Sequence, residues 1–411
     1  MQQNSNEVFN NVKFLFPQNN NLDSLINHKS FVPFEKKICD FLNEVSKVIM
    51  KDIEAKQYPD VITFGFFCRK ANIEQIKKTY EGRLNGRLGR GLTFHIAPSN
   101  VPINFAYTLI SGLLSGNRCI VRASTKDFPQ TRLLCRIFNS ITEKKEFELL
   151  KDIFAVIMYE HSQEITEALS KLADIRIIWG GDNTISEIRK LPLKPRAFDI
   201  TFADRYSFAI FDAEYVLRQN ESEMKKIAQD FYNDTYLYDQ NACSSPRLIV
   251  WKGSEKKCIE AKKKFWSAIH DNISGKYELA PILSVDKLSA KFKCAIELKA
   301  AIIEESNDNL ITRIKISDLP ENITDYTCAG GCYIEYDTVN LSDIVPIVTQ
   351  KFQTLSYLGE NAEKLQSLVI KNGLSGIDRI VSVGKTADFG LVWDGYDLIT
   401  QMSRIICSIF K

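Results

Sequence analysis

The chain has 411 residues, 45% of them hydrophobic and 25% charged, with a formal net charge of +2. That length and composition suit a globular protein with a substantial core, and they exclude collagen, coiled coil and general disorder. Basic and acidic residues are scattered along the whole length, so no cationic block marks a nucleic-acid or anionic-membrane footprint.

Met1 to Asn11 is polar and Asn-rich, with no apolar run behind a basic start, so no secretory leader is expected. Turn chemistry at Pro17-Gln-Asn-Asn-Asn21 separates a small N-terminal element from the body. Residues 92–98 alternate apolar and polar like a strand ending at Pro98. A helical pattern opens at Pro102 and closes near Gly116. A strand follows at 119–122, then a helix around 129–139, a strand at 153–158, a helix around 162–171 and a strand at 175–179 that runs into Gly180-Gly181. Strands alternating with helices of this length predict an α/β fold whose parallel sheet is covered on both faces.

The α/β texture continues with a strand at 247–251 and a helix around 255–270, whose Lys256-Lys257 and Lys262-Lys263-Lys264 runs read as solvated helix faces. The segment 304–325 is polar, and Gly330-Gly331 mark a turn. We expect a cofactor-binding domain over 1–236, a nucleophile-bearing domain over 237–385, and a C-terminal segment, 386–411, that returns to the first domain or to an oligomer interface. No apolar stretch reaches bilayer length. The ten cysteines form no paired framework, which points to reduced thiols in the cytoplasm. Cys328 and Cys332 flank Ala-Gly-Gly with no histidine nearby, and with four histidines in all no metal site is expected.

Cys243 lies in Asp239-Gln-Asn-Ala-Cys-Ser-Ser-Pro246, among small polar neighbours just before a strand. A free cysteine is commonly a small buried hydrophobe. As a nucleophile it would need surroundings that lower its pKa from about 8.5. Asn100, in Pro98-Ser-Asn-Val-Pro102, is either a helix N-cap or an amide donor for an oxyanion. Arg122 ends a strand and is followed by Ala-Ser-Thr-Lys126. It is either a surface arginine or a nucleotide contact at the carboxyl end of a parallel strand. Gly180-Gly181-Asp182 has the form of a phosphate-cradling turn without the Gly-x-Gly-x-x-Gly fingerprint. His95, inside a strand, reads as a hydrogen-bonded core histidine.

These segments occur in the order of one family. The chain resembles the long-chain acyl-CoA reductases of bacterial bioluminescence operons (LuxC-type fatty-acid reductases), a divergent branch of the aldehyde dehydrogenase superfamily. The resemblance runs from about residue 60 to the end. It is carried by Phe94-His-Ile-Ala-Pro-Ser-Asn-Val-Pro-Ile-Asn-Phe-Ala-Tyr107, Ser115-Gly-Asn-Arg-Cys-Ile-Val-Arg122, Ile178-Trp-Gly-Gly-Asp182, Asp239–Pro246 and Trp393-Asp-Gly-Tyr-Asp397.

The resemblance implies an aldehyde-dehydrogenase-like fold, a Rossmann-type cofactor domain beside a second α/β catalytic domain. It implies Cys243 as nucleophile, Asn100 in the oxyanion hole, and cofactor contacts from Pro98, Ser99, Arg122, Ser124, Thr125, Lys126, Gly180, Gly181 and Asp182. Two departures bear on chemistry. Where aldehyde-oxidising relatives carry a Glu-Leu-Gly-Gly segment, this chain has Thr201-Phe-Ala-Asp-Arg205 without the glutamate, which favours reduction over oxidation. Thr125 stands where many NAD-specific relatives have an acid, and Arg122 and Lys126 beside it suit a 2′-phosphate, so NADPH is expected over NADH.

The implied activity is reduction of a fatty acyl-CoA or acyl-protein thioester to the aldehyde. An acyl-protein synthetase partner and a homo-oligomer are implied by the family alone. An aldehyde dehydrogenase working oxidatively, a relative that binds an acyl-carrying partner without turnover, and a cofactor-free cysteine acyltransferase stay open as other readings.

Overall fold

The computed structural model describes residues 8–18, 22–304 and 308–408. Most of the polar start, Met1 to Glu7, and the end of the Pro17–Asn21 turn lie outside the described residues. The chain divides into two units, Met1–Ala203 with Tyr396–Lys411, and Asp204–Gly395. The division falls ahead of the change expected near 236.

The first unit is built on a six-stranded sheet. Its strands in chain order are β1 (Lys13–Phe16), β3 (Leu92–Ile96), β4 (Arg118–Arg122), β5 (Phe154–Met158), β6 (Ile175–Trp179) and β7 (Phe198–Phe202); β2 (Arg87–Gly89) lies apart from it. The spatial order is β1-β5-β4-β3-β6-β7, with only β1 antiparallel to its neighbour. From β3 the chain builds outward through β4 and β5, then returns to the other side of β3 with β6. That reversal is the topological switch of a doubly wound sheet.

The Asn104–Leu114 helix is buried at nearly every position. Its Gly112 is needed for close approach, because a Cβ there would lie 2.7 Å from the Cys119 sulfur and 2.8 Å from His95 Nε2. His95 is fully buried between the hydroxyls of Thr93 (2.7 Å) and Thr108 (2.8 Å), and burial drives its pKa down to about 3. It is a neutral core histidine. The C-terminal Ser403–Ile405 segment pairs antiparallel with β2, and Asn117 Nδ2 donates to the Met402 carbonyl oxygen at 2.9 Å.

The second unit carries a seven-stranded sheet made of β8 (Tyr206–Asp212), β9 (Pro246–Lys252), β10 (Ile302–Ile303), β11 (Thr312–Ile316), β12 (Cys332–Thr338), β13 (Phe352–Leu358) and β14 (Arg379–Ser382). The order is β10-β11-β12-β9-β8-β13-β14, parallel except for β10. Alternate residues of β8 and β9 go to opposite faces. Ala209, Phe211, Ile249 and Trp251 enter one core, while Phe208, Ile210, Leu248 and Val250 enter the other.

The polar 304–325 segment contains β11, whose Thr312, Ile314 and Ile316 are buried on one face. One expectation fails here. Lys262 is buried rather than solvated, because its ammonium meets the Asp337 carboxylate at 2.5 Å. Among the described residues, no helix is long and apolar enough to cross a membrane.

Candidate active site

Asp239 and Gln240, both in the left-handed region at φ 52° and 59°, lead the chain sharply toward Cys243 at the amino end of β9. The Gln240 side chain is fully buried. Its Nε2 donates to the carbonyl oxygens of Pro246 and Cys332, both at 2.9 Å, and its Oε1 accepts the N–H groups of Gly331 and Cys332. The loop is therefore tied to the neighbouring strand β12.

On the other side, Ser207 of β8 donates to the Cys243 carbonyl oxygen at 2.7 Å. Ser245 Oγ donates to the Asp234 carbonyl oxygen at 2.7 Å, and the Asp234 carboxylate accepts the N–H groups of Gly384 and Thr386. Buried backbone turns are satisfied this way at each step.

The Cys243 thiol is half-buried and faces polar groups. Gln353 of β13, itself fully buried, donates from Nε2 to the sulfur at 3.3 Å and to Asp394 Oδ1 at 2.6 Å. Burial pushes the thiol pKa up, and the Asp394 carboxylate adds to that. The Gln353 hydrogen bond and the Arg247 and Arg205 guanidiniums act the other way, but the net direction is upward. The sequence had asked for a site that lowers it. Burial likewise raises Asp394, to about 6.

The other expected residues belong to the first unit. Pro98 and Ser99 follow β3, Arg122 ends β4 with Ser124 to Lys126 just after it, and Gly180 to Asp182 follow β6, so all sit at the carboxyl ends of three adjacent parallel strands. The Ala97 N–H donates to the Arg122 carbonyl oxygen at 3.0 Å, tying two of those ends together. Arg122 lies over the Tyr159 ring and donates to the Tyr159 carbonyl oxygen, while its buried Nε has no partner among the described residues.

The helix Asp182–Arg189 starts from Gly181 without a side-chain cap. Uncapped N–H groups behind a glycine turn, at the switch point of a doubly wound sheet, fit a dinucleotide phosphate. Asn100 is exposed and is not the N-cap of the following helix, which begins four residues later at Asn104. Ser124 Oγ accepts the Lys126 N–H, leaving Thr125 and Lys126 exposed. No group of three or more His, Cys, Asp or Glu side chains among the described residues could hold a metal ion.

Solved structures with this architecture include aldehyde dehydrogenases. Aldehyde dehydrogenase 21 from Physcomitrella patens, in complex with succinate, superposes with a TM-score of 0.62 at 12% identity, covering 90% of this chain and 85% of that one. The NADP-dependent glyceraldehyde-3-phosphate dehydrogenase from Bacillus halodurans, complexed with NADP, gives 0.56 at 13% identity, covering 90% and 86%. The fold is thus that of the aldehyde dehydrogenases.

Within it, the acyl-CoA reductase (LuxC) family model matches residues 43–405, and the chain belongs to that family. It is similar to the long-chain acyl-protein thioester reductases of Photorhabdus luminescens (25% identical over 333 residues) and Vibrio harveyi (22% over 326). These matches take in 78% and 77% of this chain, and the chain spans 63% of the length of each relative.

Gln353 and Asp394 escaped the sequence reading. Asp394 lies inside the Trp393–Asp397 match, which carried no assigned role, and Gln353 is 110 positions from Cys243.

Proposed function

We propose that the chain reduces a fatty acyl thioester to the aldehyde through a covalent intermediate on Cys243, with NADPH as the reductant. The observation that carries this reading is a half-buried thiol at the amino end of a central strand, held by a side-chain N–H donor, in a chain of the acyl-CoA reductase family.

The Cys243 thiolate attacks the thioester carbonyl. The Asn100 amide and the Cys243 backbone N–H are the donors assigned to the oxyanion, an arrangement in which one donor is worth about 100- to 1,000-fold in rate. The donor thiolate leaves and an acyl-enzyme remains. NADPH, held by the cofactor-binding residues, would supply the hydride needed to bring the acyl group to the aldehyde level. Collapse then returns the electron pair to the Cys243 sulfur and frees the aldehyde. Thr201–Arg205 offers no glutamate to direct water onto the acyl-enzyme, which protects it from hydrolysis.

Pro98, Ser99, Arg122, Ser124, Thr125, Lys126, Gly180, Gly181 and Asp182 are assigned to the cofactor, with Arg122 and Lys126, beside the uncharged Thr125, suited to its 2′-phosphate. The named relatives act on acyl-protein thioesters, so an acylated protein stands beside acyl-CoA as donor, with an acyl-protein synthetase as partner. A homo-oligomer in the cytoplasm completes the reading.

Intact mass spectrometry after mixing with a panel of acyl-CoAs tests it. An adduct on Cys243, absent in Cys243→Ala and discharged as aldehyde by NADPH, is expected. Aldehyde production by Cys243→Ala would remove the scheme.

A further inference from the structure

The amide of Gln353 has two N–H groups, and both are committed to side chains. One meets the Asp394 carboxylate at 2.6 Å and the other meets the Cys243 sulfur at 3.3 Å. Its oxygen accepts the Thr354 hydroxyl at 3.3 Å. Gln240 is a useful contrast within the same unit. Its buried amide spends every donor and acceptor on backbone groups, as a purely structural glutamine does. Gln353 instead spends a donor on a half-buried thiol.

The carboxylate decides which end of the amide faces the sulfur. With the amide reversed, its oxygen would oppose a carboxylate oxygen and the sulfur lone pairs together. Asp394 is itself fixed, in the left-handed region at φ 49°, after Trp393, whose ring lies 4.2 Å from the Arg379 guanidinium carbon. Resting on the reading of Cys243 as nucleophile, we propose that Gln353 is a catalytic residue that holds the Cys243 sulfur as thiolate, and that Asp394 is the positioning residue that aims its N–H.

Two opposed effects of Asp394 follow. Its negative charge disfavours the thiolate, while the glutamine it orients favours it. The charged groups facing the pair are Arg205, Arg247 and Arg379, together with Asp378, which is ion-paired to Arg205. They are unchanged in the variants below.

The test is the pH dependence of Cys243 alkylation by iodoacetamide in the full chain, located by peptide mass. Gln353→Met should move the midpoint up by about one pH unit and slow alkylation near neutrality about tenfold. Asp394→Asn keeps an acceptor for the glutamine and removes the charge, so its midpoint should fall. Asp394→Ala removes both, so its midpoint should stay above that of Asp394→Asn. This comparison also decides the matter if Gln353→Met does not fold.

A wild-type curve for Gln353→Met, or identical curves for the two Asp394 variants, overturns the proposal. Absence of an acyl adduct in wild-type protein would instead sink the acyl-enzyme reading, and the alkylation shifts would stand apart from it.

Discussion

The Ser207 hydroxyl donates to the carbonyl oxygen of Cys243 at 2.7 Å and accepts the Thr354 N–H at 3.2 Å, so one side chain of β8 joins the cysteine loop to β13. Ser207→Ala leaves a buried carbonyl and a buried N–H without this partner, at a cost of about 1–3 kcal/mol. We expect a folded protein with a lowered unfolding midpoint in urea. Cys243 acylation should slow several-fold, because the loop loses its tether to β8. Unchanged acylation would mean that the loop is held by its other ties alone.

Gln240→Leu should be more damaging. It deletes all the hydrogen bonds of an amide buried between β9 and β12, leaving two carbonyls and two N–H groups unsatisfied. A loss of at least about 3 kcal/mol is expected on that count. Urea unfolding measures it directly. A loss under about 1 kcal/mol would show that the loop repacks around the leucine.

These two residues show where sequence reading stops. β3, β4 and β6 were legible because each apolar run is closed by a breaker, Pro98 after the first and Gly180-Gly181 after the third, with Gly116 setting off the second. β8 has no such punctuation, and β13, though closed by Gly359, was not picked out, so the second sheet was seen only through β9. Missing β8 also put the expected domain change near 236, inside the second unit. Cys243 stood out by its small polar neighbours. Its partners did not, because β8, β9 and β13 are sheet neighbours drawn from distant parts of the chain. Buried glutamine, serine and aspartate carry no local pattern. Only the strand order makes them a site.

The basic pair after β4 leads to a cofactor prediction. Arg122→Gln and Lys126→Ala should each weaken NADPH binding by about tenfold, the size of a lost charge-assisted hydrogen bond, with little effect on NADH. Fluorescence titration with both cofactors checks it. Equal losses for the two would take the 2′-phosphate away from these residues.

Asp394 also predicts a pH dependence of stability. Its pKa is raised from the ordinary 3.8 to about 6 in the folded chain, chiefly by burial. The folded state therefore binds this proton more tightly than the unfolded state does. The stabilising contribution is complete below pH 3.8 and is lost as pH rises through about 6. Asp394→Asn carries no charge to bury, so this contribution is missing from it over that window. Relative to wild type, the variant should gain about 2 kcal/mol between pH 4 and pH 7. Asp234, also raised to about 6, titrates in both proteins and cancels in the comparison. Urea midpoints at closely spaced pH values would show the two curves separating. Parallel curves would mean that the Asp394 carboxylate stays solvated when charged.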